Sequence, residues 1–137
     1  MKKRVAISGV VLASATMALV GLSGTASAAT NVCGYNETAI FYNSDTDGAY
    51  MCTNQNYNIP DFSGYTFNYT QSGTGGSNGY GQAVKNNAAS IDNYDNDRSY
   101  RVYYNSNYAG VYQTIAPFAH ANLNSQLKNE NASGKNL

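Results

Sequence analysis

The chain has 137 residues, the length of one domain, and its eight basic residues balance its eight acidic ones. Without a cluster of basic residues it has no surface suited to nucleic acid or to an anionic membrane, and we expect neither as a partner. Tyrosine occurs 13 times and tryptophan is absent, so tyrosine must supply much of the aromatic area of a core.

The first 28 residues have the pattern of a secretory signal peptide. Lys2 belongs to a basic start, residues 5–22 are almost free of charge, and Ala26-Ser27-Ala28 provides a small-residue cleavage pattern. A membrane anchor is the alternative, because the apolar stretch is near the lower limit for spanning a bilayer. Cleavage is favoured, and we expect a secreted, extracellular protein of residues 29–137. After cleavage the chain has five basic residues and eight carboxylates, which gives a net charge of about −3.

Cys33 and Cys52 are the two cysteines of the chain. An exported protein with one cysteine pair most simply forms one disulfide. Closing a loop of about 20 residues would raise the free energy of unfolding by about 3 kcal/mol, because the bond restricts the unfolded chain. A reactive or metal-binding thiol would need a C-x-x-C motif or a neighbouring histidine, and the sequence has neither.

The remaining sequence repeats itself. IFYNSDTDGAY at 40–50 matches VYYNSNYAGVY at 102–112, and KNNAASIDN at 85–93 matches KNENASGKN at 128–136. Each half therefore has an aromatic strand, a glycine turn, a second strand and an Asn-rich loop that ends at serine. One supersecondary unit used twice determines the fold.

The secondary-structure prediction is almost entirely β. Aromatic and β-branched residues predict strands at 39–43, 49–53, 62–69, 101–105 and 111–115. Gly48 and Gly110 are predicted at hairpin turns, and Pro60 marks the start of the third strand. The segment QSGTGGSNGYG at 71–81 predicts a flexible surface loop, and residues 94–99 link the halves. No helical periodicity is present, so few helices are expected.

The aromatic and glycine spacing resembles a known motif. Tyr103, Tyr108 and Gly110 have the aromatic-x4-aromatic-x-Gly spacing of βγ-crystallin Greek-key motifs. The first repeat keeps this spacing from Phe41 to Gly48, although a threonine replaces the second aromatic. An aromatic ring there packs over the turn, and glycine can adopt the positive φ of the folded hairpin.

The serine that closes each crystallin motif resembles Ser90 and Ser133. A serine hydroxyl at that point can bond back to peptide groups of the folded hairpin. The resemblance covers residues 33–137 and implies an all-β, βγ-crystallin-like sandwich of two Greek-key motifs, approximately 33–93 and 100–137. The aromatics expected inside include Phe41, Tyr103 and Tyr108.

Within that fold, the export signal, the cysteine pair and the NNAAS sequence resemble the secreted Streptomyces metalloproteinase inhibitor family. This resemblance implies a peptidase inhibitor whose rigid loop occupies the active-site cleft of an extracellular metalloproteinase. Two segments could supply this inhibitory loop: the disulfide-tethered segment 33–52 and the loop 71–81. We call them the two candidate presenters, and no motif selects the inhibitory residues within either. Two alternatives stay open: a calcium-stabilised extracellular structural or stress module, and a cell-wall or carbohydrate binder that uses exposed tyrosines.

The Asn-rich loops resemble the N/D-N/D-x-x-S/T-S calcium pattern of crystallin-like modules. The candidate ligands are Asn86, Asn87, Ser90, Asn129, Glu130 and Ser133. Calcium takes six to eight oxygen ligands. However, Ile91 and Gly134 stand where the pattern has its last serine, and Glu130 is the single carboxylate of the two loops. The sequence therefore predicts weak, millimolar calcium binding or, with equal weight, turn architecture without a metal.

No catalytic constellation is visible in the sequence. His120 is the single histidine and is expected on a surface strand. Asp92, Asp95 and Asp97 could supply paired acids, but their polar surroundings are typical of a solvated turn. Nucleophilic, acid–base and zinc chemistry all require sets of residues that these do not form. We therefore expect a monomeric binding or structural protein without enzymatic activity.

Overall fold

The computed structural model describes residues 33–54, 58–73 and 75–137. The signal peptide predicted at 1–28 lies outside these residues. Within them, no helix is long and apolar enough to cross a membrane. The single helical element of the described ranges is a 3-10 turn, Ser106–Tyr108, which agrees with the prediction of few helices.

The protein is an all-β structure of two antiparallel sheets. Its strands are β1 (Thr38–Phe41), β2 (Tyr50–Cys52), β3 (Ser90–Asn93), β4 (Tyr100–Asn105), β5 (Ala109–Ile115), β6 (His120–Asn122) and β7 (Ser133–Asn136). The first sheet has the order β2-β1-β3-β6 and the second has the order β5-β4-β7. Ile40 and Ile91 of the first sheet share one buried cluster with Tyr100, Val102 and Ile115 of the second.

Each repeat contributes a strand segment to the sheet of the other. β6 of the second repeat pairs with β3 of the first, with His120 opposite Asp92. In return, Ile59 of the first repeat exchanges two backbone hydrogen bonds with Gly134 in β7, at 2.8 and 3.0 Å. Because the pairing is reciprocal, the two repeats share one core.

The prediction of a continuous strand at 62–69 is wrong. The segment makes isolated bridges instead, Thr66 with Ala83 and Tyr69 with Tyr50. Phe62 and Phe67 are both fully buried. The apolar pattern of this segment therefore reflects insertion into the core rather than a regular ladder of hydrogen bonds.

The Gly-rich segment is also more ordered than predicted. Residues 75–81 fold into consecutive turns. The Asn78 carbonyl accepts a hydrogen bond from Ala49 N at 2.8 Å, and Gly81 N donates to the Phe67 carbonyl at 2.9 Å. These bonds attach the segment to the core of the first repeat.

The predicted burial of aromatics is confirmed at two of three positions. Phe41 and Tyr103 are buried. Tyr108 is half-buried, because it lies in the 3-10 turn with its ring edge against Tyr103, 5.8 Å between centroids.

The predicted disulfide is confirmed. Cys33 and Cys52 are bonded, with their Cα atoms 5.6 Å apart. The bond joins the segment before β1 to β2, beside buried Ala39, Phe41 and Tyr50.

Candidate functional site

The two hairpins that follow β1 and β4 have matching backbone conformations. Gly48 and Gly110 both have a φ of +81°. A Cβ at either glycine would lie under 3.0 Å from the amide nitrogen of an asparagine side chain, that of Asn43 or Asn105. Glycine is therefore required at both predicted turn positions for its conformation and for its lack of a side chain.

Ser90 and Ser133 close the two hairpins, as their position in each repeat predicted. The Ser90 hydroxyl donates to the Asn43 carbonyl at 2.6 Å and accepts from Thr46 N at 3.0 Å. The Ser133 hydroxyl donates to the Asn105 carbonyl at 2.7 Å and accepts from Tyr108 N at 3.1 Å. Two of the six candidate calcium ligands thus have a structural role in the hairpins.

The two Asn-rich loops lie back to back and bond to each other. Asn86 N donates to the Asn131 carbonyl, and Asn129 N donates to the Ala88 carbonyl, both at 2.8 Å. The buried Asn131 side chain accepts from Ala88 N at 2.9 Å and donates to the Val84 carbonyl at 3.0 Å. Sequence reasoning missed Asn131, because the first repeat has alanine at the equivalent position.

Two polar depressions flank the paired loops, with volumes of about 210 and 250 Å³. The Lys85 depression is lined by Lys85, Asn86, Tyr104, Asn105, Ser106, Glu130 and Ala132. The Lys128 depression is lined by Lys128, Asn129, Tyr42, Asn43, Ser44, Asn87 and Ala89. Every residue of one depression has its repeat equivalent in the other. Each depression therefore combines both loops with the hairpin of one repeat.

The structure divides the six candidate ligands among three places. Asn86 and Glu130 line the Lys85 depression, whereas Asn87 and Asn129 line the Lys128 depression. Ser90 and Ser133 bond the hairpins. The Asn87 amide also donates to the carbonyls of Ala83 and Lys85, at 2.9 and 3.2 Å.

A lysine ammonium group lies at each depression. Lys85 Nζ donates to Asp61 Oδ1 at 3.0 Å, Ser63 Oγ at 3.3 Å and Ser106 Oγ at 3.1 Å. Lys128 Nζ donates to Ser44 Oγ at 2.8 Å. Sequence reasoning missed both lysines, although each stands at the first position of a repeated loop.

Asp61 is the carboxylate that balances Lys85. The Ser63 backbone amide and then the Lys85 ammonium hold the pKa of Asp61 down at about 2. Asp61 therefore stays ionised beside the lysine throughout the neutral pH range.

These residues do not fit a divalent cation. Calcium needs six to eight oxygens at 2.3–2.6 Å and favours sites rich in carboxylates. Glu130 is the single carboxylate among the described residues that line the two depressions. An ammonium group already takes the hydroxyl oxygens of Ser106 and Ser44, and two like charges within a few ångströms repel. Calcium binding stays a prediction of the sequence, and the arrangement of the residues argues against it.

A second candidate site is the turn between β5 and β6. Phe118 at its tip is 65 % exposed and has a φ of +51°. Phe118 N donates to the Asp95 carbonyl at 3.0 Å, and Ala119 N closes the turn on the Ala116 carbonyl at 3.2 Å. The exposed Tyr35 ring lies 6.5 Å from the Phe118 ring. We call residues 115–119 the Phe118 turn.

The buried Asn93 side chain and the backbone of buried Asp95 hold the Phe118 turn. Asn93 Nδ2 donates to the Ala116 carbonyl at 3.1 Å. Asp95 is fully buried, so the prediction of a solvated turn is wrong for Asp95, although Asp97 is exposed. Its Oδ1 atom accepts from Asp97 N and Arg98 N at 3.1 and 3.0 Å, and its Oδ2 atom lies 2.5 Å from the Arg98 guanidinium. Burial raises the pKa of Asp95, but the bonds from Asp97 and Arg98 outweigh it and leave the pKa below its ordinary value.

Comparison with solved structures identifies the architecture. One structure, from work on the evolution of the eye-lens βγ-crystallin domain fold, superposes with a TM-score of 0.57 and 13 % identity. It covers 77 % of this chain and 92 % of the other. The fold is that of a βγ-crystallin domain. A βγ-crystallin from an archaeon matches with a TM-score of 0.51 and 15 % identity, over 76 % of this chain and 100 % of that one.

No protein-family model matches the sequence, and no curated protein matches it either. The βγ-crystallin fold implied by the resemblance is confirmed, whereas membership of the Streptomyces metalloproteinase inhibitor family is not. Fold alone does not determine function, which must be argued from the sites. Of the two predicted presenters, segment 33–52 contains strands of the first sheet, and the described part of 71–81 folds onto Ala49 and Phe67. The Phe118 turn is a third candidate for such a loop, which the sequence did not indicate.

Proposed function

We propose that the protein is a secreted proteinase inhibitor that places the Phe118 turn in the active-site cleft of an extracellular metalloproteinase. The observation that carries the proposal is a phenylalanine exposed to 65 % at the tip of a turn fixed by buried Asn93 and Asp95. A large apolar side chain on a fixed support is typical of a binding hot spot. A turn that is ordered before binding loses little conformational entropy on association, and the same order resists cleavage.

The class of target rests on the sequence resemblance, and secretion rests on the residues before Ala29. Tyr35 supports the choice of the turn, because a second exposed ring extends the apolar surface beside Phe118. Tyr35 is two residues from Cys33, whose disulfide to Cys52 fixes the segment before β1 against β2.

Phe118→Ala is expected to weaken inhibition at least tenfold, because a hot-spot side chain contributes about 1.4 kcal/mol or more to binding. The melting temperature should stay nearly constant, since the Phe118 side chain is exposed. Inhibition constants against a panel of secreted metalloproteinases measure the effect. Tyr80→Ala is the comparison, because Tyr80 is 59 % exposed on the rival segment 71–81 and should leave inhibition unchanged. Equal inhibition by both variants, or a panel left fully active by the unmodified protein, would contradict the proposal.

Carbohydrate binding is a second candidate, favoured by an exposed aromatic surface on β5. Tyr112 is 55 % exposed, and the Arg101 guanidinium lies 4.2 Å from its ring centroid. Planar rings of this kind can stack on sugars. Retention on insoluble polysaccharide that is lost in Tyr112→Ala and kept in Phe118→Ala would favour this function over inhibition.

A further inference from the structure

The two lysines of the depressions make equivalent contacts between the repeats. Lys85, from the first Asn-rich loop, reaches Ser106 in the hairpin of the second repeat. Lys128, from the second loop, reaches Ser44 in the hairpin of the first. Ser44 and Ser106 are themselves equivalent, since both end a Tyr-Asn-Ser sequence. The same contact thus occurs twice, each time joining a loop to the opposite hairpin.

We propose that Lys85 and Lys128 are the resident cations of the two depressions, and that they join loop to hairpin where a crystallin-like module would use calcium. A lysine ammonium group has three N–H donors and no acceptor. Lys85 finds three oxygen partners, on Asp61, Ser63 and Ser106, so all its donors are used. The stability of this protein is therefore independent of calcium.

The two depressions differ in their negative charge. The Lys85 ammonium faces ionised Asp61, and Glu130 lines the same depression. The described residues lining the Lys128 depression include no carboxylate. Removal of Lys85 consequently leaves Asp61 without its ammonium partner next to a depression that Glu130 also lines, whereas removal of Lys128 leaves its depression lined by neutral groups. The first arrangement suits a hard divalent cation, and the second does not.

Thermal unfolding in 10 mM calcium and in chelator tests this inference, with Lys85→Met and Lys128→Met as variants. The unmodified protein is expected to melt at the same temperature in both solutions. In chelator, Lys85→Met should melt about 4–8 °C lower, because the three hydrogen bonds of the ammonium group are lost. Calcium should restore several degrees to Lys85→Met and nothing to Lys128→Met. Calorimetric titration with calcium should detect binding to Lys85→Met alone.

Lys135→Met is the control, because the Lys135 ammonium lies over the Tyr108 ring, 5.3 Å from its centroid, and lines neither depression. It should show no calcium response. A calcium-dependent melting shift of the unmodified protein would overturn the inference. So would a Lys85→Met variant as stable in chelator as Lys135→Met, or one that calcium leaves unchanged. None of these outcomes depends on proteinase inhibition, so the proposed function is tested separately.

Discussion

Gly79→Ala is expected to lower the melting temperature by at least about 10 °C. Gly79 has a φ of +85°, where an L-residue is strained by about 1–2 kcal/mol. A Cβ built there would also lie 2.1 Å from Cγ of Tyr42, the root of the ring rather than its flexible end. That ring packs edge-on against buried Phe67, 5.5 Å between centroids. Overpacking of this kind costs about another 1–3 kcal/mol. Thermal and denaturant unfolding measure the change.

Gly64→Ala separates the two causes. Gly64 has a φ of +84°, almost the same as that of Gly79, but a Cβ there would have no atom within 4 Å. It should therefore show the backbone strain alone, about 1–2 kcal/mol. The difference between the two variants measures the contact between Gly79 and Tyr42. Equal losses of stability would show that the Gly-rich segment does not pack on Tyr42.

The local part of the fold could be predicted from the sequence. Gly48 and Gly110 lie at hairpin turns and Ser90 and Ser133 close those hairpins, because these roles depend on spacing within one repeat. The reciprocal pairing of Ile59 with β7 and of His120 with β3 could not be predicted. It joins residues far apart in the chain, and an apolar or alternating pattern does not specify the partner strand.

In the candidate sites, too, features that depend on neighbouring residues could be predicted, whereas contacts between distant residues could not. The Asn-rich loops were found because they repeat, yet their lysines were not recognised as part of the sites. The long side chain of Lys85 reaches Asp61 and Ser106, neither of which is near it in sequence. Asp95 was misjudged because polar neighbours in sequence do not reveal burial. Phe118 was missed because an apolar residue gives no sign in sequence that it lies exposed on a turn.

Asn93 determines whether the Phe118 turn keeps its shape. Its amide donates to the carbonyls of Arg98 and Ala116, at 2.9 and 3.1 Å. Its oxygen accepts from Thr38 Oγ1 and Asp95 N, both at 3.2 Å. This fully buried side chain therefore links β1, the connection between the repeats and the Phe118 turn.

Asn93→Ala is expected to destabilise the protein by about 3 kcal/mol or more, because several buried polar groups lose their partner at once and each costs about 1–3 kcal/mol. The melting temperature should fall by at least about 12 °C. Amide exchange of Phe118 should become faster, since the Ala116 carbonyl and the Asp95 amide both lose their bond to the Asn93 side chain. Calorimetry and hydrogen-exchange mass spectrometry measure the two effects.

Asn68→Ala is the control, because it makes the same change at an exposed position outside the Asn93 network. It should alter stability by no more than about 0.5 kcal/mol and leave the exchange of Phe118 unchanged. If Asn93→Ala loses stability while exchange at Phe118 stays slow, the turn is held by Asp95 and its own closing bond instead. Two results together would connect the Asn93 side chain to binding. Phe118→Ala should lose inhibition, and Asn93→Ala should show both faster exchange at residue 118 and weaker inhibition. The buried Asn93 amide would then act on binding through the rigidity of the turn.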